Sequence, residues 1–265
     1  MEMQTPNRNL AISEIDLALC RATLYSALAL GFQAPTEETL ARLSSQEGVA
    51  ALEDAAAVLD ASQGSSLALA VRGLASNRKS TVTELSTTYR RLFGHTVRGP
   101  IPPYETEYGV EALFQQPQEL ADLTGFYQAF GLTVKPAEHE RADHVSCESE
   151  FLSFLALKEA YALEQLDSAM LEETKKATRL FLRDHLARFV RAFVKKLTRE
   201  DRNGLYGTLG ELYLKFATLE CGQRRVPLGP ESLTLRPATD DRVPMACGSE
   251  EDCPMMNESP NPEDR

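Results

Sequence analysis

From Ser13 to about Cys221, apolar residues return every three or four positions, and this pattern limits the fold more than any other feature of the chain. In IDLALCRATLYSALALGF, Leu17, Leu24, Tyr25 and Leu28 fall on one side of a helix. Val82, Leu85, Tyr89, Leu92 and Phe93 form the stripe of TVTELSTTYRRLF, and Leu120, Leu123, Tyr127 and Phe130 that of PQELADLTGFYQAFG. Strand-like alternation is almost absent, and no turn dipeptide joins two apolar runs as a hairpin requires. The pattern predicts an all-α fold, a single globular bundle of about ten helices. Ser13 with Asp16 reads as a capping box for the first helix, Thr36 opens a second, and Gly131 stands where a C-terminal cap belongs. The long run DSAMLEETKKATRLFLRDHLARFVRAFVKKL reads as one helix broken once. Residues 1–12 are expected to be disordered and 13–222 to form the helical domain. Past Cys221, Pro, Gly and acidic residues dominate, so 223–265 is expected to be an extended or disordered acidic tail with two cysteines.

One segment breaks the helical pattern. GPIPPYETEYG, residues 99–109, sets three prolines, two tyrosines and two glutamates between glycines. Proline removes a backbone donor and clashes with the preceding turn, so this stretch cannot be regular helix. Its aromatics are unlike a linker. It is either a stiff structural corner or a surface that something binds.

The formal charge of −11 over 265 residues disfavours nucleic acid or an anionic membrane as the main partner. No stretch of about 18 apolar residues is evident, which predicts no membrane span, and the N-terminus lacks the pattern of a secretory signal. Five cysteines without a disulfide framework favour a reducing cytoplasm.

Several motifs suggest catalysis and fail on geometry. In HERADH, His139 and His144 are five residues apart, which separates them by roughly 140° around a helix, where a four-residue spacing leaves about 40°. Gly204, Gly207 and Gly210 follow no strand and read as a helix start and close helix packing. There is no GxxxxGK[ST] loop and no GxSxG elbow. Cys247 and Cys253 with Cys221 could supply three thiolates to zinc, although the spacing is wide. No cofactor is expected. A metal-dependent enzyme built on these cysteines, or a helical scaffold whose tail docks a partner, are the alternatives to a binding protein.

Two segments together carry a resemblance. PPYETEYG follows the helix ending YRRLFG, and RADHVSCESEFLSFLALKEAYA contains Asp143-His144 followed by Glu148, Glu150 and Phe151. Their order and separation resemble the TorD/DmsD/NarJ family of cytoplasmic chaperones for molybdenum redox enzymes. The loop and the CGSEEDCPM tail look most like the chaperones of type II dimethyl sulfoxide reductase family enzymes. Ser149 departs from the pattern, which usually has an apolar residue between the two glutamates.

The resemblance implies a cytoplasmic, all-helical, non-enzymatic protein, monomeric or homodimeric. It would bind the twin-arginine leader, or a neighbouring segment, of a molybdopterin oxidoreductase catalytic subunit of the dimethyl sulfoxide reductase family. It would hold that subunit for molybdenum cofactor insertion before export. Site residues implied are Tyr104, Glu105, Glu107, Tyr108, Asp143, His144, Glu148 and Glu150. Carboxylates pair bidentately with guanidinium groups, tyrosine rings stack on them, and prolines lower the ordering cost of the loop. Each residue also has a structural reading. Tyr104 and Tyr108 could plug the core, and Glu105 and Glu107 could be solvated. Asp143 could cap a helix and His144 could anchor a loop. Glu148 and Glu150, two apart, face different sides of a helix, so at most one joins a shared site.

Overall fold

Three helix starts are fixed by residues that satisfy their own free amides. Ser13, Thr36 and Thr81 each accept a hydrogen bond from the amide of the third helical residue, whose side chain accepts one from the cap amide. The computed structural model describes residues 12–63, 66–75, 80–94, 98–109, 115–134 and 140–237. Among these the elements are α1 (Glu14–Phe32), α2 (Glu37–Ser44), α3 (Gln46–Gln63), α4 (Leu67–Ala75) and α5 (Val82–Phe93). After a short 3-10 turn (Glu105–Glu107) come α6 (Gln115–Ala129), α7 (Val145–Glu164), α8 (Ser168–Asp184), α9 (Leu186–Glu200) and α10 (Leu205–Gln223). The described residues contain no strand, only three isolated antiparallel bridges, and the architecture is all-α.

α1 lies at the centre and packs most extensively against α7. Leu24, Tyr25, Leu28 and Phe32 are buried, with Leu17 half-buried at the edge. By length and composition α1 could cross a bilayer, its mean hydropathy reaching 1.4 over eighteen residues, which the sequence reading did not anticipate. Its place in the bundle accounts for that apolarity. Buried Arg21 reaches Glu159 of α7 at 2.9 Å, and the Ser153 hydroxyl donates to the Ala22 carbonyl at 2.9 Å. Arg224, just past α10, joins this network through Glu159 at 3.9 Å and also pairs with Glu220 at 3.2 Å.

The long helical run breaks once, at His185, whose φ of −123° and ψ of −97° leave the helical region. The glycines of α10 have the packing role expected of them: a Cβ on Gly207 would lie 1.9 Å from the Asp201 carbonyl oxygen. α6 turns out through Gly131 at φ 72°. One core of buried side chains runs from Leu24 to Val226. Residues 224–237 leave α10 through a turn with Arg225 at φ 53° and run without helix across the bundle, Leu235 forming a bridge with Tyr108. The cysteines Cys247 and Cys253, His139 and residues 1–11 lie outside the described residues.

Candidate functional site

The proline segment is held on both sides. Toward α7, the Glu105 amide donates to the Asp143 carbonyl at 2.9 Å, and the Val145 amide to the Pro103 carbonyl at 2.8 Å. Toward the C-terminal strap, the Gly109 amide donates to the Thr234 carbonyl and the Arg236 amide to the Glu107 carbonyl, both at 2.8 Å. Behind it, the Ile101 amide donates to the Leu92 carbonyl at the end of α5. The two motifs picked out in the sequence therefore lie side by side, and the prolines leave free mainly those amides that find partners on neighbouring segments.

The 3-10 turn sends the two loop glutamates in opposite directions. Glu105 is buried, with Oε2 at 3.0 Å from His185 Nδ1 and Oε1 at 3.4 Å from Arg188 Nη1. Burial raises its pKa, and His185 and Arg188 offset this only in part. Glu107 stays half-buried and meets Arg98 Nε at 3.2 Å and Arg141 Nη1 at 3.6 Å. Tyr108 is a core plug: its ring packs on Phe189 and its hydroxyl donates to the Pro102 carbonyl at 3.0 Å. Tyr104 stays at the surface, where its hydroxyl donates to Glu140 at 2.9 Å and the Arg141 guanidinium lies 4.4 Å from its ring centroid.

Asp143 and His144 are completely buried and brace the loop from below. The Asp143 carboxylate accepts from the Thr106 amide and hydroxyl at 3.2 and 2.7 Å, and from Arg141 through Nε and Nη2 at 3.0 and 2.7 Å. It is not the cap of α7. That position is taken by His144, whose Nδ1 accepts from the Ser146 amide at 3.1 Å. Burial, with a smaller push from Arg141, holds the imidazole pKa down to about 3.

Glu148 is buried with no hydrogen-bond partner on either oxygen, and desolvation, then Glu105 and Asp143, drives its pKa well above the usual range. Glu150, two residues on, is exposed and borders a separate groove with Tyr127, Val134 and Phe154. The pair thus splits as its spacing requires. Ser149 donates to the Val145 carbonyl and pairs with the Tyr213 hydroxyl at 2.7 Å, so the unusual serine ties α7 to α10.

Of the eight candidates, Glu105, Tyr108, Asp143, His144 and Glu148 form the inner frame. Tyr104 and Glu107 line a cleft of about 540 Å³ whose wall also includes Tyr89, Arg90, Arg98, Pro102 and Glu140. Sequence reasoning missed the basic side chains that organise this frame. His185 carried only a faint signal, since the long helical pattern reads as broken once but does not mark where. Arg98 and Arg141 adjoin the motifs, but nothing in their spacing marks them as partners of the loop carboxylates. Arg236 carried none, because it lies in a stretch whose composition reads as tail. Its guanidinium is buried against Glu119, Nη1 to Oε2 at 3.1 Å and Nη2 to Oε1 at 3.2 Å, with Nη1 also donating to the Thr106 carbonyl at 2.8 Å. Burial alone would raise Glu119, but the hydrogen bonds from Arg236 and Arg188 prevail and hold its pKa low.

Cys221 is buried on α10 and its thiol is pushed up to about 12, chiefly by desolvation, the reverse of what a ligating thiolate needs. The described residues contain no group of three His, Cys, Asp or Glu placed to hold a metal ion.

Comparison with known proteins gives a consistent result. The chain is 28% identical over 193 residues to the perchlorate reductase assembly chaperone protein of Dechloromonas aromatica, covering 69% of this chain and 80% of that protein. It is 30% identical over 142 residues to the chaperone protein TorD of Vibrio cholerae serotype O1, covering 53% and 62%. A third similarity, 39% over 95 residues, is to the chlorate reductase assembly chaperone protein of Ideonella dechloratans, covering 35% and 48%. The chain thus spans less than two thirds of the latter two. Residues 37–195, which hold both motifs and more than half of the chain, match the family model described as nitrate reductase delta subunit, and the chain belongs to that family.

Proposed function

We propose that this chain is an assembly chaperone, a binding protein and not an enzyme, for the catalytic subunit of an oxidoreductase. The observation that carries this reading is the family match across 37–195 together with relatives named as reductase assembly chaperones. The client proposed is a molybdopterin enzyme of the dimethyl sulfoxide reductase family. The chaperone holds it in the cytoplasm, by its twin-arginine leader or the adjoining segment, until the molybdenum cofactor is in place.

The cleft supports a leader-binding role. Glu107 and Glu140 offer carboxylates, and Tyr104 offers a ring face already occupied by one guanidinium at 4.4 Å. Glu105 and Asp143, buried beneath, fix the loop and do not reach solvent.

The test is capture of clients by the tagged full-length chain from its host, grown so that anaerobic respiration is induced, with identification by mass spectrometry. The expected catch is a molybdopterin catalytic subunit that retains its leader. The combined change Tyr104→Ala and Glu107→Gln should reduce that catch at least tenfold while leaving helicity intact. A reproducible catch that lacks any such subunit sinks the proposal.

A further inference from the structure

Between residues 227 and 237 the strap has a single buried side chain, Arg236. The rest of this stretch is exposed or half-buried: Leu228, Leu233 and Leu235 rest on the core and the Gly229 amide donates to the Ala187 carbonyl at 2.7 Å, while beside the loop the end of the strap is held by that one guanidinium, by Arg98 on the Arg236 carbonyl and by backbone bonds to Glu107 and Gly109. The seat that takes the guanidinium consists of both oxygens of Glu119 and the Thr106 carbonyl. Its fit is incomplete, since Nε of Arg236 is buried without a partner. Gly109 lies directly against the guanidinium, the place of a Cβ being 3.4 Å from Arg236 Nη2, and its φ of +126° is one that favours glycine.

These are the components with which a protein binds an arginine in an extended peptide: a carboxylate fork, a carbonyl, and one backbone donor and acceptor in antiparallel register. The opposite seam of the same loop is also a two-bond antiparallel bridge, but it joins Glu105 and Pro103 to Asp143, His144 and Val145, which are completely buried, whereas Thr234 and Leu235 of the strap are not. The seat also communicates with the cleft. Arg98 bonds the Glu107 carboxylate through Nε at 3.2 Å and the Arg236 carbonyl through Nη1 at 2.7 Å. Arg98 thus ties the Glu107 carboxylate of the cleft to the backbone of the strap.

We propose that the Glu119–Thr106 seat is an arginine subsite for an extended segment of the client, and that Arg236 is its resident occupant, displaced by exchange. This rests on the reading that the chain binds an arginine-bearing leader. The exchange conserves backbone hydrogen bonds and the forked ion pair, so the strap acts as a built-in competitor that lowers apparent affinity.

Amide hydrogen exchange on the full chain, without any peptide, tests the seam itself. The amides of Gly109 and Arg236 should exchange at least tenfold faster than those of Glu105 and Val145. Equal rates would make the strap a fixed part of the fold and overturn the proposal. The second arm titrates a fluorescent peptide with two adjacent arginines followed by ten Leu and Ala residues, against a dilysine version. Arg236→Gln should bind the diarginine peptide about tenfold more tightly, with Arg236→Lys intermediate because lysine keeps the charge and loses the fork. The dilysine peptide should gain little. Binding by the wild-type chain with no gain in Arg236→Gln removes the subsite alone. Failure of all three chains to bind removes the leader-binding reading as well.

Discussion

Burial holds the His144 imidazole neutral, its pKa pressed down to about 3, while its Nδ1 caps α7 and its ring meets Tyr104 edge-on at 5.2 Å. In the unfolded chain the same group titrates near 6.5. Because the folded value is the lower one, the stability that His144 contributes is complete above pH 6.5 and is lost as the pH falls toward 3. At pH 5 the loss is about 2 kcal/mol, from about 1.4 kcal/mol per unit. His144→Asn places an acceptor near the Nδ1 position and cannot titrate. Urea denaturation at pH 7 and pH 5 should show that this variant loses about 2 kcal/mol less than the wild type over that interval, whatever its absolute stability. An equal loss in both would mean the imidazole is not the group that responds. Glu148 has the opposite sign: its folded pKa is raised, so its contribution is complete below about 4.5 and is lost as the pH rises. The comparison between variant and wild type cancels it.

At the scale of elements, α7 is the post on which the loop is mounted, and its attachment to α10 passes through Ser149 and Tyr213, both buried. Ser149→Ala strands the Tyr213 hydroxyl and should cost about 1–2 kcal/mol. The double change Ser149→Ala with Tyr213→Phe removes both partners and should recover at least half of that loss in a thermal double-mutant cycle. Additive losses would show that the hydroxyl pair contributes nothing specific. The elements themselves were legible in the sequence because their signals are local. Ser13, Thr36 and Thr81 cap their own helices, and stripes such as Val82, Leu85, Tyr89 and Leu92 need no partner to be read. The break within the long run was visible, but not its position, since His185 is stabilised there by Glu105, 80 residues earlier. The site was legible as two motifs and illegible as a division of labour. Nothing in ETE says that a single 3-10 turn buries Glu105 and leaves Glu107 at the cleft. The role of Arg236 was out of reach, because its partners are more than 100 residues away.

For the whole molecule, the net charge of −11 acts at a distance on any basic leader. Association should therefore be steered, with the on-rate for the diarginine peptide falling roughly tenfold between 20 mM and 500 mM salt, and the off-rate changing much less. Stopped-flow fluorescence at four salt concentrations would measure both. An on-rate that is flat with salt would confine the electrostatics to the cleft. The acidity is not spread evenly over the cleft, whose wall sets Arg90, Arg98 and Arg141 among Glu107 and Glu140. Long-range attraction and local selection are thus assigned to different parts of the surface.

The bond from Arg236 to the Thr106 carbonyl spans 130 positions of the chain. A ribosome adds roughly 5–20 residues per second, so about 7–26 s separate the synthesis of the loop from that of its last support. During that interval the helices as far as α9 can form and pack, but the loop lacks one of its two seams. The loop that lines the cleft therefore cannot take its finished form before residue 236 has been made, long after its own residues have left the ribosome.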